Sequence, residues 1–133
     1  MNSKSSDNPQ TSVTIGQLAE LNARQFLEKQ GLIFKEKNYR VKCGEIDLIM
    51  QDEDHLVFIE VKMRHNLDYG DTLEIISKSK QSKVIRAATH YLVTHHLYDS
   101  AFCRFDAIGI SPDKNNPSLQ EITWIKNAFE VQY

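Results

Sequence analysis

Apolar positions recur with two different periods along the chain, and the period changes where turn residues intervene. Ile15, Leu18, Ala19, Ala23, Phe26 and Leu27 keep helical spacing. Thr14 predicts the N-cap of that helix, Gln17 completes a capping box three residues on, and Gly31 predicts its stop. Strand-like runs follow over 32–39, 41–50 and 56–64, with a polar turn at 51–55 between the last two. From Ser77 to His96 the spacing is helical again, with Val84, Ile85, Ala88, Tyr91 and Leu92 on the inner face. A fourth strand is predicted over 101–110, a Pro- and Asn-containing loop over 111–118, and a fifth strand over 119–126. The order α-β-β-β-α-β(-β) predicts an α/β fold with a mixed sheet flanked by helices.

The second and third strands carry charges where a buried sheet should be apolar. Gly44-Glu45-Ile46-Asp47-Leu48-Ile49-Met50 is answered by Leu56-Val57-Phe58-Ile59-Glu60-Val61-Lys62. A turn centred on Glu53-Asp54 sets Asp47 opposite Glu60 and Glu45 opposite Lys62. Side chains alternate along a strand, so Glu45, Asp47, Glu60 and Lys62 are expected on one face. Ile46, Leu48, Met50, Val57, Ile59 and Val61 are expected on the other.

Like charges directly opposite one another are destabilising. Two readings answer that cost. A divalent cation between Asp47 and Glu60 would neutralise it, as two carboxylates with waters and a substrate phosphate make an ordinary magnesium site. In that reading Lys62 orients an attacking water or stabilises charge building on phosphorus. Glu20, if its helix packs near this edge, adds a ligand or holds a water. The second reading is a surface ladder of salt bridges, which exposed sheet faces commonly carry.

Composition narrows the field. Residues 1–13 are almost devoid of apolar side chains and read as a disordered tail, leaving 14–133 as one domain. No apolar stretch is long enough to span a bilayer, and no secretory h-region is visible, so a cytoplasmic protein without membrane association is expected. The net charge of −2 argues against electrostatic coating of nucleic acid but leaves room for a local basic patch. Lys78, Lys80, Lys83 and Arg86 form such a cluster at the start and outer side of the second helix, where they would grip phosphates or line an ordinary solvated face. Arg64 lies two residues after Lys62, in reach of the same phosphates. Cys43 and Cys103 have no zinc-ligand spacing to each other or to the histidines, and two buried free thiols are expected. Arg104 and Asp106 share a strand face and are expected to pair. Gly44 is expected at a bulge or a close backbone approach.

Asp47 followed by Glu60-Val61-Lys62 resembles the PD-(D/E)xK superfamily of restriction-endonuclease-like nucleases. More closely, the chain resembles the YraN-like family of small bacterial proteins, related to archaeal-type Holliday junction resolvases. The matching pieces span 16–129: Gly16 with Ala19-Glu20, Asn38-Tyr39-Arg40, Gly44 to Ile49, Phe58 to Lys62 with Arg64, Tyr69-Gly70 with Glu74, Lys80-Gln81, and Arg104-Phe105-Asp106. A lone E-x-K is a weak signal; this ordered set is specific. Two positions depart from the pattern, Ala19 for a usual glycine and Thr72 for a common proline.

The resemblance implies a restriction-endonuclease-like αβββαβ core. It implies that Asp47 and Glu60 bind magnesium or manganese, that Lys62 assists the attacking water, and that Glu20 is the first-helix acid of the site. It favours phosphate binding by Lys80; Lys78, Lys83 and Arg64 join it as candidates from their charge and position. The expected activity is metal-dependent hydrolysis of structured or branched DNA, and two cuts in a junction would call for a homodimer. The alternatives are a nucleic-acid-binding module of the same fold that does not cleave, and an adaptor whose charged cluster is a surface ladder.

Overall fold

The computed structural model describes residues 14–63, 76–112, 115 and 120–131. The sequence features assigned to 1–13, to Arg64, Tyr69, Gly70, Thr72 and Glu74, and to most of the 111–118 loop lie outside them. Helix α1 (Ile15–Lys29) is followed by strands β1 (Ile33–Val41), β2 (Gly44–Asp52) and β3 (His55–Met63). Helix α2 (Lys78–Thr94) then precedes strands β4 (Phe102–Pro112) and β5 (Gln120–Phe129). The strands lie in one sheet in chain order. β3 and β4 run parallel, and the other neighbours are antiparallel. The parallel pair needs a crossover, which α2 supplies. This is the expected mixed sheet flanked by helices.

Local chemistry sets the ends of α1. The Thr14 hydroxyl oxygen accepts the Gln17 N–H at 3.0 Å, and the Thr14 N–H donates to the Gln17 side-chain oxygen at 2.9 Å. Gly31 leaves the helix with a φ of 100°, a conformation that only glycine adopts without strain. The buried stripe of α1 is narrower than its periodicity suggests. Ala19, Ala23 and Leu27 are buried, but Ile15 and Leu18 are 68% and 48% exposed. The helix makes its contact through its later turns, where two alanines let it lie close to the sheet.

Both faces of the sheet are core. On one, Ala19, Ala23 and Leu27 pack with Leu48, Met50, Val57, Ile59, Ile108 and Ile110. On the other, Val84, Ala87, Ala88 and Tyr91 pack with Ile46, Ile49, Leu56, Phe58, Phe105 and Ala107. Central strands buried on both sides read as continuous apolar runs. The expectation of one charged face and one apolar face is therefore corrected. Ile49, Leu56 and Phe58 bury the supposedly polar face, and the charges occupy only its end. Ile46 also leaves Leu48 and joins the α2 side. The cause lies in β1, where Asn38 has a φ of 50° and breaks the alternation. Tyr39, the partner of Ile46, turns to α2, while Lys37 is paired with Leu48 on the α1 side.

The β1–β2 hairpin turns at Lys42-Cys43, which corrects the expected start of the second strand at Val41. Cys43 stands exposed at this turn rather than buried, and Cys103 is half-buried; both are free thiols. Gly44 presses on α2. A Cβ there would lie 2.0 Å from the Lys83 carbonyl oxygen and 3.3 Å from the Ala87 nitrogen. Backbone atoms cannot swing aside as a side chain can. Gly44→Ala is expected to cost about 2–3 kcal/mol by overpacking, read as a lower midpoint in urea unfolding; an unchanged midpoint would show that the hairpin moves freely.

The expected Arg104–Asp106 pair is present and larger than a pair. Asp106 is fully buried. Its carboxylate accepts from Arg104 Nε at 3.0 Å, from Trp124 Nε1 at 2.9 Å and from the Asn127 N–H at 3.0 Å. Arg104 also donates to Asp52 at 2.9 Å. Asn127, with a φ of 54°, sits where the β4–β5 register shifts, so Asp106 takes up a backbone donor that the ladder has lost.

Candidate active site

The β2–β3 register pairs Asp52 with His55, Met50 with Val57 and Leu48 with Ile59. The turn is thus centred where the sequence places it, and Asp47 and Glu60 come next along the pair. Here side chains take over from the backbone ladder. Glu60 Oε2 accepts the Asp47 N–H at 3.1 Å, and Asp47 Oδ2 accepts the Val61 N–H at 2.8 Å. Beyond this crossing β2 remains paired with β1 as far as Gly44, and β3 with β4 as far as Met63. The sheet forks, and the two carboxylates hold the fork.

An open cleft of about 780 Å³ lies over them. Glu20 enters it from α1, one residue past buried Ala19; Lys62 stands at its rim on β3; Ser77 and Lys80 enter from the first turn of α2. Ser77 caps that helix by accepting the Lys80 N–H at 3.1 Å. Lys80 Nζ lies 3.4 Å from Glu60 Oε1 and 3.4 Å from Glu45 Oε2. Glu45 therefore pairs with Lys80, and with Arg40 at 3.4 Å, rather than with the expected Lys62.

The site is short of positive charge. Burial, then the charge of Asp47, pushes the Glu60 carboxyl up to about 8. Burial also raises Asp47, against the pull of the Val61 N–H and Lys80. Glu20 is raised by burial and by Asp47, with which it shares a hydrogen bond, while the Asn38 side chain pulls it back. Burial works against the Lys80 ammonium, but Glu60, Asp47 and Glu45 together hold its pKa above the usual lysine value. A second cation would relieve three strained acids at once.

Asp47 and Glu60 are the two acids that face each other across the fork. Among the described residues no group of three or more His, Cys, Asp or Glu side chains is placed to hold a metal ion. Magnesium needs none, since it keeps several waters and takes one or two carboxylates with substrate phosphates. Asp47 and Glu60 would be those carboxylates, steadied by the main-chain N–H groups they accept.

The structure brings together Glu20, Asp47, Glu60, Lys62 and Lys80. It does not bring Lys78 or Lys83 into the cleft: Lys78 lines a groove with Arg86 and Glu130, and Lys83 one beside the β1–β2 turn. Arg64 lies outside the described residues. Asn38 was not anticipated in this role. Its signal is an asparagine inside a strand-like run, a residue that tolerates the left-handed region and can hydrogen-bond locally. Tyr39 is half-buried packing, with its hydroxyl 2.6 Å from His90 Nδ1.

The family described as Uncharacterised protein family UPF0102 matches residues 19–110, which include every acid of the cleft. A UPF0102 protein of Psychromonas ingrahamii is 50% identical over 121 residues, covering 91% of this chain and 93% of its own length. One from Coxiella burnetii is 49% identical over 119 residues, 90% and 94% of the two chains. Another from Legionella pneumophila is 41% identical over 116 residues, 87% and 94%.

Proposed function

The chain belongs to the UPF0102 family, and from the site that its residues build we propose that it hydrolyses phosphodiester bonds with magnesium or manganese, acting on structured or branched DNA. The observation that carries this reading is the fork: Asp47 and Glu60 facing each other at the floor of a cleft walled by Lys62 and Lys80. The acid, then Glu-Val-Lys, also supports kinship with the PD-(D/E)xK nucleases. Asp47 and Glu60 would hold the ion. When bound, it would polarise the phosphate and acidify water. Glu20 stands over the same floor and serves to orient water or accept its proton. Lys62 and the capped N-terminus of α2 offset the negative charge that grows on phosphorus. Lys80 keeps Glu60 in place. Among the described residues no helix is long and apolar enough to cross a membrane. Cutting both strands of a junction needs two such sites, so a homodimer goes with that substrate.

The Lys80–Glu60 ion pair favours a second reading, in which an ammonium group permanently fills the cation position and the protein binds nucleic acid without cutting it. A cleavage screen separates the two. Flaps, junctions, single strands and RNA are incubated with magnesium or manganese beside a Lys62→Ala control. Products from the parent, reduced by about 100-fold in Lys62→Ala, support hydrolysis. Salt-sensitive binding without products under either ion supports the second reading. No metal heat in calorimetry and no binding at low salt would sink both.

A further inference from the structure

The cleft does not end at Lys80. That residue also lines a neighbouring open groove of about 520 Å³, formed where the β1–β2 turn meets the outer face of α2. Lys42 and Cys43 enter it from the turn, and Lys83 and Arg86 from the helix. Its one acid, Glu45, is already engaged by Arg40 and Lys80. Among the described residues no carboxylate lies within ion-pair distance of Lys42, Lys83 or Arg86. All three are exposed. In a chain of net charge −2, this is a local concentration of uncompensated positive charge.

Two separate segments build the groove, and their relative position is fixed. Gly44 packs against the Lys83 carbonyl with no room for a side chain, so Lys42 is held a short step from Lys83 and Arg86. A rigid cationic trough that opens into a cleft for one phosphodiester suits the flanking phosphates of the same strand.

We propose that this groove is the binding track for the nucleic-acid backbone leading away from the cleft, with Lys42, Lys83 and Arg86 as its phosphate contacts and Lys80 at the junction. The inference rests on the proposed phosphodiester substrate, and it adds the β1–β2 turn as a binding element. It also makes Cys43 a natural probe, since the exposed thiol lies inside the track. Cys103 is half-buried, and burial pushes its thiol up, so it reacts slowly and serves as an internal reference.

The test follows alkylation of Cys43 by N-ethylmaleimide in the full chain, in EDTA to prevent cleavage, with and without a branched DNA or a single-stranded oligonucleotide. Bound nucleic acid is expected to slow alkylation about tenfold, and added salt to restore it as phosphate contacts dissociate. The Lys83→Glu/Arg86→Glu variant should bind the same DNA at least about tenfold more weakly and flatten the salt slope by about 2. Lys29→Glu/Lys35→Glu, with the same charge change elsewhere, should bind like the parent. If nucleic acid binds and Cys43 reacts at an unchanged rate, or if the groove variant binds like the parent, the track is wrong while the hydrolytic reading stands. No nucleic-acid binding at low salt also overturns it. Protection of Cys43 by a protein that yields no products in the cleavage screen would keep the track and remove the hydrolysis.

Discussion

Asp106→Ala is expected to lose about 3–5 kcal/mol, because it leaves the buried Arg104 guanidinium with only the partly exposed Asp52 as its counter-charge. For a domain whose total stability lies at about 5–15 kcal/mol, that brings it close to unfolding. The Arg104 side chain is only 10% exposed, so water cannot replace the lost carboxylate. The substitution also orphans the indole N–H of Trp124 and the N–H of Asn127. Three elements would loosen together: β4, the shifted register of β5, and the β2–β3 end at Asp52. Trp124 is the only tryptophan of the chain and lies on the network, so its fluorescence in urea reads the transition directly. Asp106→Asn keeps one oxygen, which can accept from Trp124 or from Asn127 but not from both, and loses the charge, so it should fall between parent and alanine. A loss below about 1 kcal/mol for alanine would mean that the network merely decorates a sheet held by packing.

Glu60→Gln should move two readouts in opposite directions: metal-dependent hydrolysis disappears while the metal-free fold gains stability at alkaline pH. The Glu60 carboxyl is raised from its ordinary 4.5 to about 8, so the folded chain holds a proton that the unfolded chain has released. The stability this supplies is complete below about 4.5 and is lost as pH rises through about 8, at up to about 1.4 kcal/mol per pH unit. Burial and the facing Asp47 are the cause. Glutamine carries no charge to bury and can still accept the Asp47 N–H. In EDTA the melting temperature of the parent should fall between pH 5 and 9, and that of Glu60→Gln should fall less. Some slope remains, because Asp47 and Glu20 are raised as well. Manganese should restore the parent at neutral to alkaline pH and leave the variant unmoved. Superimposable pH profiles in EDTA would show that Glu60 is not the strained acid.

Much of this site is readable before any coordinates, for a geometric reason. Strand pairing around a tight turn is symmetrical, so locating the turn at Glu53-Asp54 places Asp47 across from Glu60 with no other information. The capping box of α1 and the stop at Gly31 are equally local. What escapes is set by contacts between distant segments. Lys80 reaches Glu60 only because α2 crosses back over the fork, and periodicity carries no trace of that reach. Ile15 and Leu18 obey the helical period and are still exposed, since the period says which residues share a face and not how far the sheet extends beneath it. Asn38 defeats the alternation rule through one left-handed residue, which moves Ile46 to the other core. Cys43 follows the composition rule for thiols until the hairpin is known to turn there.

The fork in the sheet ties the site to the backbone itself. The carboxylates that would receive the ion are acceptors for the amides of Asp47 and Val61, which lie just past the β2–β3 ladder. Whatever neutralises those carboxylates, whether a proton, Lys80 or a metal ion, changes the strength of two main-chain hydrogen bonds. The exchange rates of those amides with deuterated solvent are thus a built-in gauge of what the cleft holds, readable without any substrate.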